Sequence, residues 1–259
     1  MIETGLGITF DENSNEFLYP AGTFGPSRAE QRYLKDILHS MANHDSKGPD
    51  IVYSIAMDVG LVKDQADLVN RELLFGIVAY AAGSIGDEPI KSQGHIHASS
   101  KTCQMSTPEV YEIWSGEGII YMQENGSKDP GRCYAVQAKA GEVVIVPPGW
   151  AHCTINASRT ERLVFGAWCV RDYGFEYKAI RAHNGLAFYP KFTVQGKLIW
   201  IPNTSYQTKQ LIEKNARQYS EFAIEENVPI YQQYEQENTK FDFVVRPDLW
   251  KEEWLDFVP

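Results

Sequence analysis

Positive charge is in short supply in this 259-residue chain: 24 Lys and Arg face 34 Asp and Glu, for a formal net charge of −10. That balance argues against nucleic-acid phosphate or anionic lipid as the main partner. A small anionic substrate stays open, because a few local cations can hold a phosphate inside an acidic protein. Cysteine is scarce too. The four thiols (Cys103, Cys133, Cys153 and Cys169) contain no C-x-x-C pair and no dense framework, which is the usage of a reduced, cytosolic chain. Long hydrophobic runs are missing: the longest nearly apolar stretch, about Leu73 to Gly83, is too short to span a bilayer. The opening MIETGLGITF has no basic region followed by an apolar one, so no signal peptide is expected there. The expectation is a soluble, cytoplasmic protein with neither nucleic acid nor membrane as partner.

What is present suffices for a sizeable core. Hydrophobic residues make up 43% of the chain and aromatics 12%, and the length suits one large domain or one domain with an appendage. Ser27-Arg28-Ala29-Glu30 reads as a capping box that opens a helix carrying Tyr33, Ile37, Leu38 and Met41 on one face. From Asp50 the texture turns to short runs rich in Val, Ile, Tyr and Phe. Strands are expected over Ile51 to Val59, Leu73 to Ala81, Glu109 to Trp114, Gly118 to Gln123, Tyr134 to Gln137, Glu142 to Val146, His152 to Asn156, Leu163 to Val170 and Phe175 to Ile180. Short strands without intervening helices indicate a closed barrel or sandwich. A boundary falls near Tyr206. Residues 1–206 form the β domain with its N-terminal helical region. Residues 207–259 form an extension, helical at Gln207 to Asn227, that packs on the barrel or on a partner subunit.

Histidine is rare as well, six in all, and two are placed together in "QGHIH". On a strand, His95 and His97 at i and i+2 point to one face. Two imidazoles on one face are a costly coincidence or half of a metal site, and further ligands elsewhere decide between them. A third His appears in "GEVVIVPPGWAHCTIN", which fits G-x5-P-x-G-x2-H-x3-N through Gly141, Pro147, Gly149, His152 and Asn156.

These two segments resemble the two signature motifs of the cupin superfamily, small β-barrels of jelly-roll type. The resemblance implies that the first motif supplies two His and one Glu, and the second one His, to a single metal. By position these are His95, His97, Glu109 and His152. Glu109 stands in the family's E-x6-G spacing with Gly116, and it shares a strand face with Tyr111 while Glu112 points to the other. The stretch from His97 to Glu109 is longer than the family's usual gap, so Ala98 to Pro108 is expected to bulge as a loop at the barrel mouth. The implied fold is mainly β: a cupin jelly-roll barrel with an N-terminal helix and a partly helical C-terminal extension. Three imidazoles and a carboxylate suit one divalent first-row metal ion, whether Fe, Mn, Ni, Zn or Co.

Extended outward, "PDIVYSIAMDV", "SQGHIH", "EVYEIWSGEG", "VPPGWAHCTIN" and "DYG" resemble the archaeal-type, metal-dependent glucose-6-phosphate isomerases, over roughly Gly5 to Ile201. That likeness implies interconversion of glucose 6-phosphate and fructose 6-phosphate through an enediolate or a hydride shift. Glu109 is then the candidate base as well as a ligand. It also implies a phosphate held by Tyr53, Ser92 and Gly94, and a homodimer. Tyr111 faces the cavity, where its hydroxyl can reach a sugar. Three positions depart from the family's pattern: Val78 for a Thr, Trp168 for a Tyr, and Arg171 for a His. Lys91 and Arg171 are candidates to replace the lost phosphate contacts with charge. His39 and His44 are expected at the surface, His183 in a turn and not as a ligand, and Cys153 to face away from the metal. The alternatives are an Fe(II) cupin dioxygenase and a non-catalytic sugar-binding cupin. The second is the weaker, since no basic recognition helix follows Tyr206.

Overall fold

The computed structural model of the protein describes residues 2–207 and 210–259. Two sheets organise it. The larger has six strands in the order Val143–Val146, Glu109–Ser115, Leu163–Val170, Leu73–Tyr80, Ile51–Met57 and Glu30–Tyr33, every neighbouring pair antiparallel. The smaller has four, in the order Ala151–Asn156, Glu117–Gln123, Cys133–Lys139 and Leu211–Asn215, the last pair parallel. The expected strands fall within a residue or two of these bounds through Val170. β-Branched and aromatic residues fill them, as a pleated, buried surface favours.

Three apolar layers follow from period-two alternation. Between the sheets, Tyr53, Tyr80, Tyr111, Ile113 and Phe165 meet Ile120, Met122, Tyr134 and Val136. The outer face of the smaller sheet (Tyr121, Cys153, Ile155) is covered by Ile180, Leu186, Phe188 and Tyr206. The outer face of the larger sheet (Phe75, Ile77, Trp114, Trp168) is covered by Leu6, Ile8 and Phe17 from the N-terminal segment. Tyr219, Phe222, Tyr231, Tyr234, Phe241 and Phe243 from the C-terminal segment complete that cover. Both faces of a central strand are therefore dry, and every residue of Leu163–Val170 is buried.

Three expectations are corrected. The helix does not start at Ser27: Glu30–Tyr33 is a sheet-edge strand paired with Ile51 to Ile55, and the helix is only Leu34–Ile37, continued by a 3-10 turn at Leu38–Ser40. The cap is shifted with it, since Asp36 accepts from the Tyr33 N–H at 3.1 Å. An unpaired strand edge at Ile51–Met57 offered the backbone a ladder that outweighed the capping signal. The segment from Phe175 to Ile180 is a two-residue strand, Phe175–Glu176, followed by a helix at Lys178–Ala182. Gln207 to Asn227, read as helical, instead contributes the edge strand Leu211–Asn215 and a 3-10 turn at Ser220–Phe222; Thr208 and Lys209 lie outside the described residues. Helices in the C-terminal segment come later, at Ile230–Gln236, Asp242–Val245 and Lys251–Leu255. No helix among the described residues is long and apolar enough to cross a membrane.

Candidate metal centre and cavity

His95, His97, Glu109 and His152 converge, with one ligand atom from each lying within 4.8 Å of the others. Different pieces of chain place them. Ile96–His97 pairs with Phe175–Glu176, while a lone bridge joins His95 to His152, each N–H donating to the other's carbonyl at 3.0 and 2.9 Å. Glu109 opens the strand that follows the Ala98 to Pro108 loop. The two rings nearest in sequence, His95 and His97, lie 5.2 Å apart centre to centre.

Backbone carbonyls orient two of the imidazoles. His97 Nδ1 lies 2.9 Å from the Thr107 carbonyl, and His152 Nδ1 lies 3.0 Å from the Trp150 carbonyl. A carbonyl only accepts, so each Nδ1 carries a proton, which leaves Nε2 as the ring atom that faces inward. Both Nε2 atoms point at the same Glu109 oxygen, at 3.2 and 3.3 Å, and the Tyr111 hydroxyl donates to that oxygen at 2.7 Å. His95 Nε2 is buried with no hydrogen-bond partner among the described residues, which is expensive for a polar atom unless something else fills the gap. Burial and the neighbouring imidazoles hold its pKa well below the ordinary histidine value, so it stays a neutral donor of electrons. Burial alone would raise Glu109, but the hydrogen bonds from His152 and His97 outweigh it and keep the carboxylate ionised. Three imidazoles and one carboxylate, with an orphaned nitrogen among them, fit a divalent first-row metal.

The long loop is part of the centre rather than a mere insertion. Besides lending the Thr107 carbonyl to His97, it ties to both flanks: Ser106 Oγ accepts from the Gly149 N–H at 2.9 Å, and the Lys101 N–H donates to Asp172 at 2.7 Å.

A cavity of about 100 Å³ opens from this centre between the sheets. Tyr53, Ser92 and Tyr111 line it, as does the departing residue Val78. Gly94 does not. Its φ of 86° and its approach to Leu186, which an added Cβ would meet at 2.8 Å, make it a turn residue that lets the chain reach His95. Trp168 points out of the opposite face of its strand, into the layer under the C-terminal segment. Lys91 is buried and donates to the Ser40 carbonyl at 3.0 Å, and Arg171 donates to Asp58 at 2.9 Å and to the Leu73 carbonyl at 3.1 Å. Neither lines the cavity. His39 is half-buried, not a surface residue, and contacts Gln93 Oε1 at 2.8 Å; His44 is exposed. His183 is tied to the Ala179 carbonyl and stacks on Tyr206.

Several wall residues escaped the sequence reading: Glu30, Tyr80, Gln93, Cys169, Tyr173, Phe175 and Tyr177. Alternation along Glu109–Ser115 and Leu163–Val170 could have found Cys169. The aromatic trio in "DYGFEY" could not be aimed without knowing that Phe175–Glu176 pairs with Ile96–His97.

A two-sheeted barrel that gathers three imidazoles and a carboxylate at its inner end defines the cupin class. A profile of the glucose-6-phosphate isomerase (GPI) family matches residues 32–208, more than half of the chain, and the chain belongs to that family. Relatives named glucose-6-phosphate isomerase include one from Thermococcus litoralis, 29% identical over 138 residues (52% of this chain, 65% of its own). Another, from Pyrococcus furiosus, is 31% identical over 109 residues (42% and 52%). A third, from Sinorhizobium medicae, is 29% identical over 115 residues (44% and 49%). The matches thus span about half to two thirds of the relatives' own length. Among solved structures, an oxalate oxidase aligns with 48% of this chain and 54% of its own, at 18% identity and a TM-score of 0.36.

Proposed function

We propose that this chain is a metal-dependent aldose–ketose isomerase that interconverts glucose 6-phosphate and fructose 6-phosphate. The observation that carries the reading is the set His95, His97, Glu109 and His152, within 4.8 Å of one another at the inner end of a cavity lined by Tyr53, Ser92 and Tyr111. A bound divalent ion would polarise the substrate carbonyl and offset negative charge that develops between C1 and C2.

The chain's own residues do the rest. His95, His97 and His152 hold the ion, two of them aimed by backbone carbonyls. Glu109 completes the set, and in the enediolate route it also carries a proton between the two carbons. In the hydride route it serves as ligand only. Tyr111 stabilises the ionised Glu109 through its hydroxyl. Tyr53 and Ser92 offer hydroxyls toward the phosphate end, and Phe165, Phe175 and Val78 exclude water from the sugar's path.

The test is turnover of fructose 6-phosphate to glucose 6-phosphate by chelated protein, before and after return of Mn, Fe, Ni, Zn or Co singly. Metal-restored turnover is the expected result, and the most active ion nominates the cofactor. Tight metal binding without turnover, together with oxygen uptake dependent on Fe(II), would replace the isomerase reading with the dioxygenase. Product formed in deuterated water separates the two routes, since only the enediolate exchanges hydrogen with solvent.

A further inference from the structure

The two cations that the sequence offers for the phosphate, Lys91 and Arg171, are both committed elsewhere, yet two other guanidinium groups lie close to residues that line the cavity. The edge strand Glu30–Tyr33 pairs antiparallel with Ile51–Met57, and the register sets Glu30 opposite Ile55 and Arg32 opposite Tyr53. Cross-strand partners share a sheet face. Tyr53, Ile55 and Glu30 all line the cavity, and Arg32, two residues on from Glu30 and opposite Tyr53, stands next to that lining. Its positive charge acts on Tyr53, its partner across the strands, and on Tyr177.

A second guanidinium approaches from the other side. Arg181, on the helix Lys178–Ala182, stacks over Tyr177 at 4.8 Å and donates to Gln93 Oε1 at 3.1 and 3.2 Å. Tyr177 thus feels both cations. Gln93 adjoins Ser92, and both line the cavity.

Two atoms of the site are unusual in lacking a partner. His95 Nε2 is one, at the metal end; Arg32 Nε is the other, buried with no acceptor among the described residues. Arg32 otherwise pairs through Nη2 with Glu30 at 2.7 Å, and the Glu30 side chain is 62% exposed. An ion pair with so exposed a member is weak and easily exchanged for a stronger acceptor. A phosphate presents three oxygens to a planar fork of donors, a better match than one carboxylate oxygen.

Resting on the isomerase reading, we propose that Arg32 is the residue that binds the substrate's phosphate, displacing Glu30, with Arg181 adding charge from across Tyr177. The cavity then has a metal-binding end and an anion-binding end. A phosphorylated sugar spans them, and an unphosphorylated one loses the second hold. Val78, which carries no hydroxyl, is compensated by a charge from a different strand.

The test is calorimetric titration of metal-loaded protein with fructose 6-phosphate and with inorganic phosphate, alongside turnover and metal content. Arg32→Gln is expected to weaken both ligands by about 10- to 100-fold while metal stoichiometry stays as in the wild type. Arg32→Lys is expected to recover part of that loss, and Glu30→Gln to tighten both ligands severalfold by removing the competitor. The last variant moves affinity in the opposite direction, which an unfolding defect cannot do. Wild-type turnover with affinities unchanged in Arg32→Gln overturns the anion site and leaves the isomerase. A wild type that binds the sugar phosphate through Arg32 without turning it over supports the anion site and overturns the isomerase. A wild type that binds neither ligand overturns both.

Discussion

Trp168 stacks on Tyr231 with ring centroids 5.4 Å apart and planes 17° from parallel, and its indole N–H donates to the Ile230 carbonyl at 3.4 Å. A strand residue that motif alignment places beside the sugar phosphate therefore looks the other way, toward the C-terminal segment. The departure at Trp168 concerns that cover, whereas the one at Val78 concerns the cavity.

Tyr231→Ala is expected to cost about 3–5 kcal/mol, the range for deleting a large buried aromatic. The ring packs against Phe75 and Trp168, and the hydroxyl accepts from the Leu61 N–H at 2.9 Å. Thermal unfolding should shift down sharply, while protein kept below its midpoint should bind metal with wild-type stoichiometry. Loss of metal without a fall in the midpoint would contradict the separation of the two sheet faces.

Glu112 lies on that same outer face and gives the fold a pH dependence. It accepts from Trp114 Nε1 at 2.9 Å and from the Ile230 N–H at 3.0 Å. Burial pushes its carboxyl from 4.5 up to about 7, against the lowering effect of both donors. The folded chain then holds this proton more tightly than the unfolded one. Its contribution is full below pH 4.5 and is lost as pH rises through 7. Wild-type protein should lose on the order of a few kcal/mol across that window from this group. Glu112→Gln should flatten the slope. Urea midpoints at the two ends of the window, for both proteins, measure it; equal losses would place the titration in another group.

The sequence made the barrel and the ligands legible because both rest on local signals. Period-two alternation separates Glu109 and Tyr111 from Glu112, and in the structure the first two line the cavity while Glu112 is bonded under the C-terminal segment. The turn at Pro147 to Gly149 likewise marks where His152 enters its strand. What stayed hidden depends on pairings distant in the chain. Nothing local in "SRAEQRY" states that an edge strand is needed at Ile51–Met57, so the capping box there misled, and Arg32 was not seen as the partner of Tyr53. Lys91 and Arg171 looked available because their acceptors, the carbonyls of Ser40 and Leu73, can be found only in the folded chain.

His97→Ala tests the ligand set. The variant loses one of the four donors and leaves the Thr107 carbonyl and one Glu109 contact unpaired. Metal binding and turnover should disappear together. Elemental analysis after dialysis against the wild type's preferred ion checks this, and undiminished stoichiometry would contradict the assignment.

Tyr111→Phe separates orientation from ligation. The ring would keep its packing on Phe165, 5.3 Å away, but the 2.7 Å hydrogen bond to Glu109 would be gone. Burial and the neighbouring carboxylate hold the Tyr111 hydroxyl far above its usual pKa, so in the wild type it is a neutral donor at any working pH. Its removal costs the ionised Glu109 one of the bonds that favour its charged form. Stability should change by no more than about 1 kcal/mol, and metal stoichiometry should hold. If Glu109 moves the proton, turnover should fall by about 10- to 100-fold, and the acid limb of the rate profile should move to higher pH. If Glu109 only ligates, the metal dissociation constant should weaken and the limb stay in place. An unchanged rate, profile and metal affinity would reduce Tyr111 to a packing residue and remove it from the site.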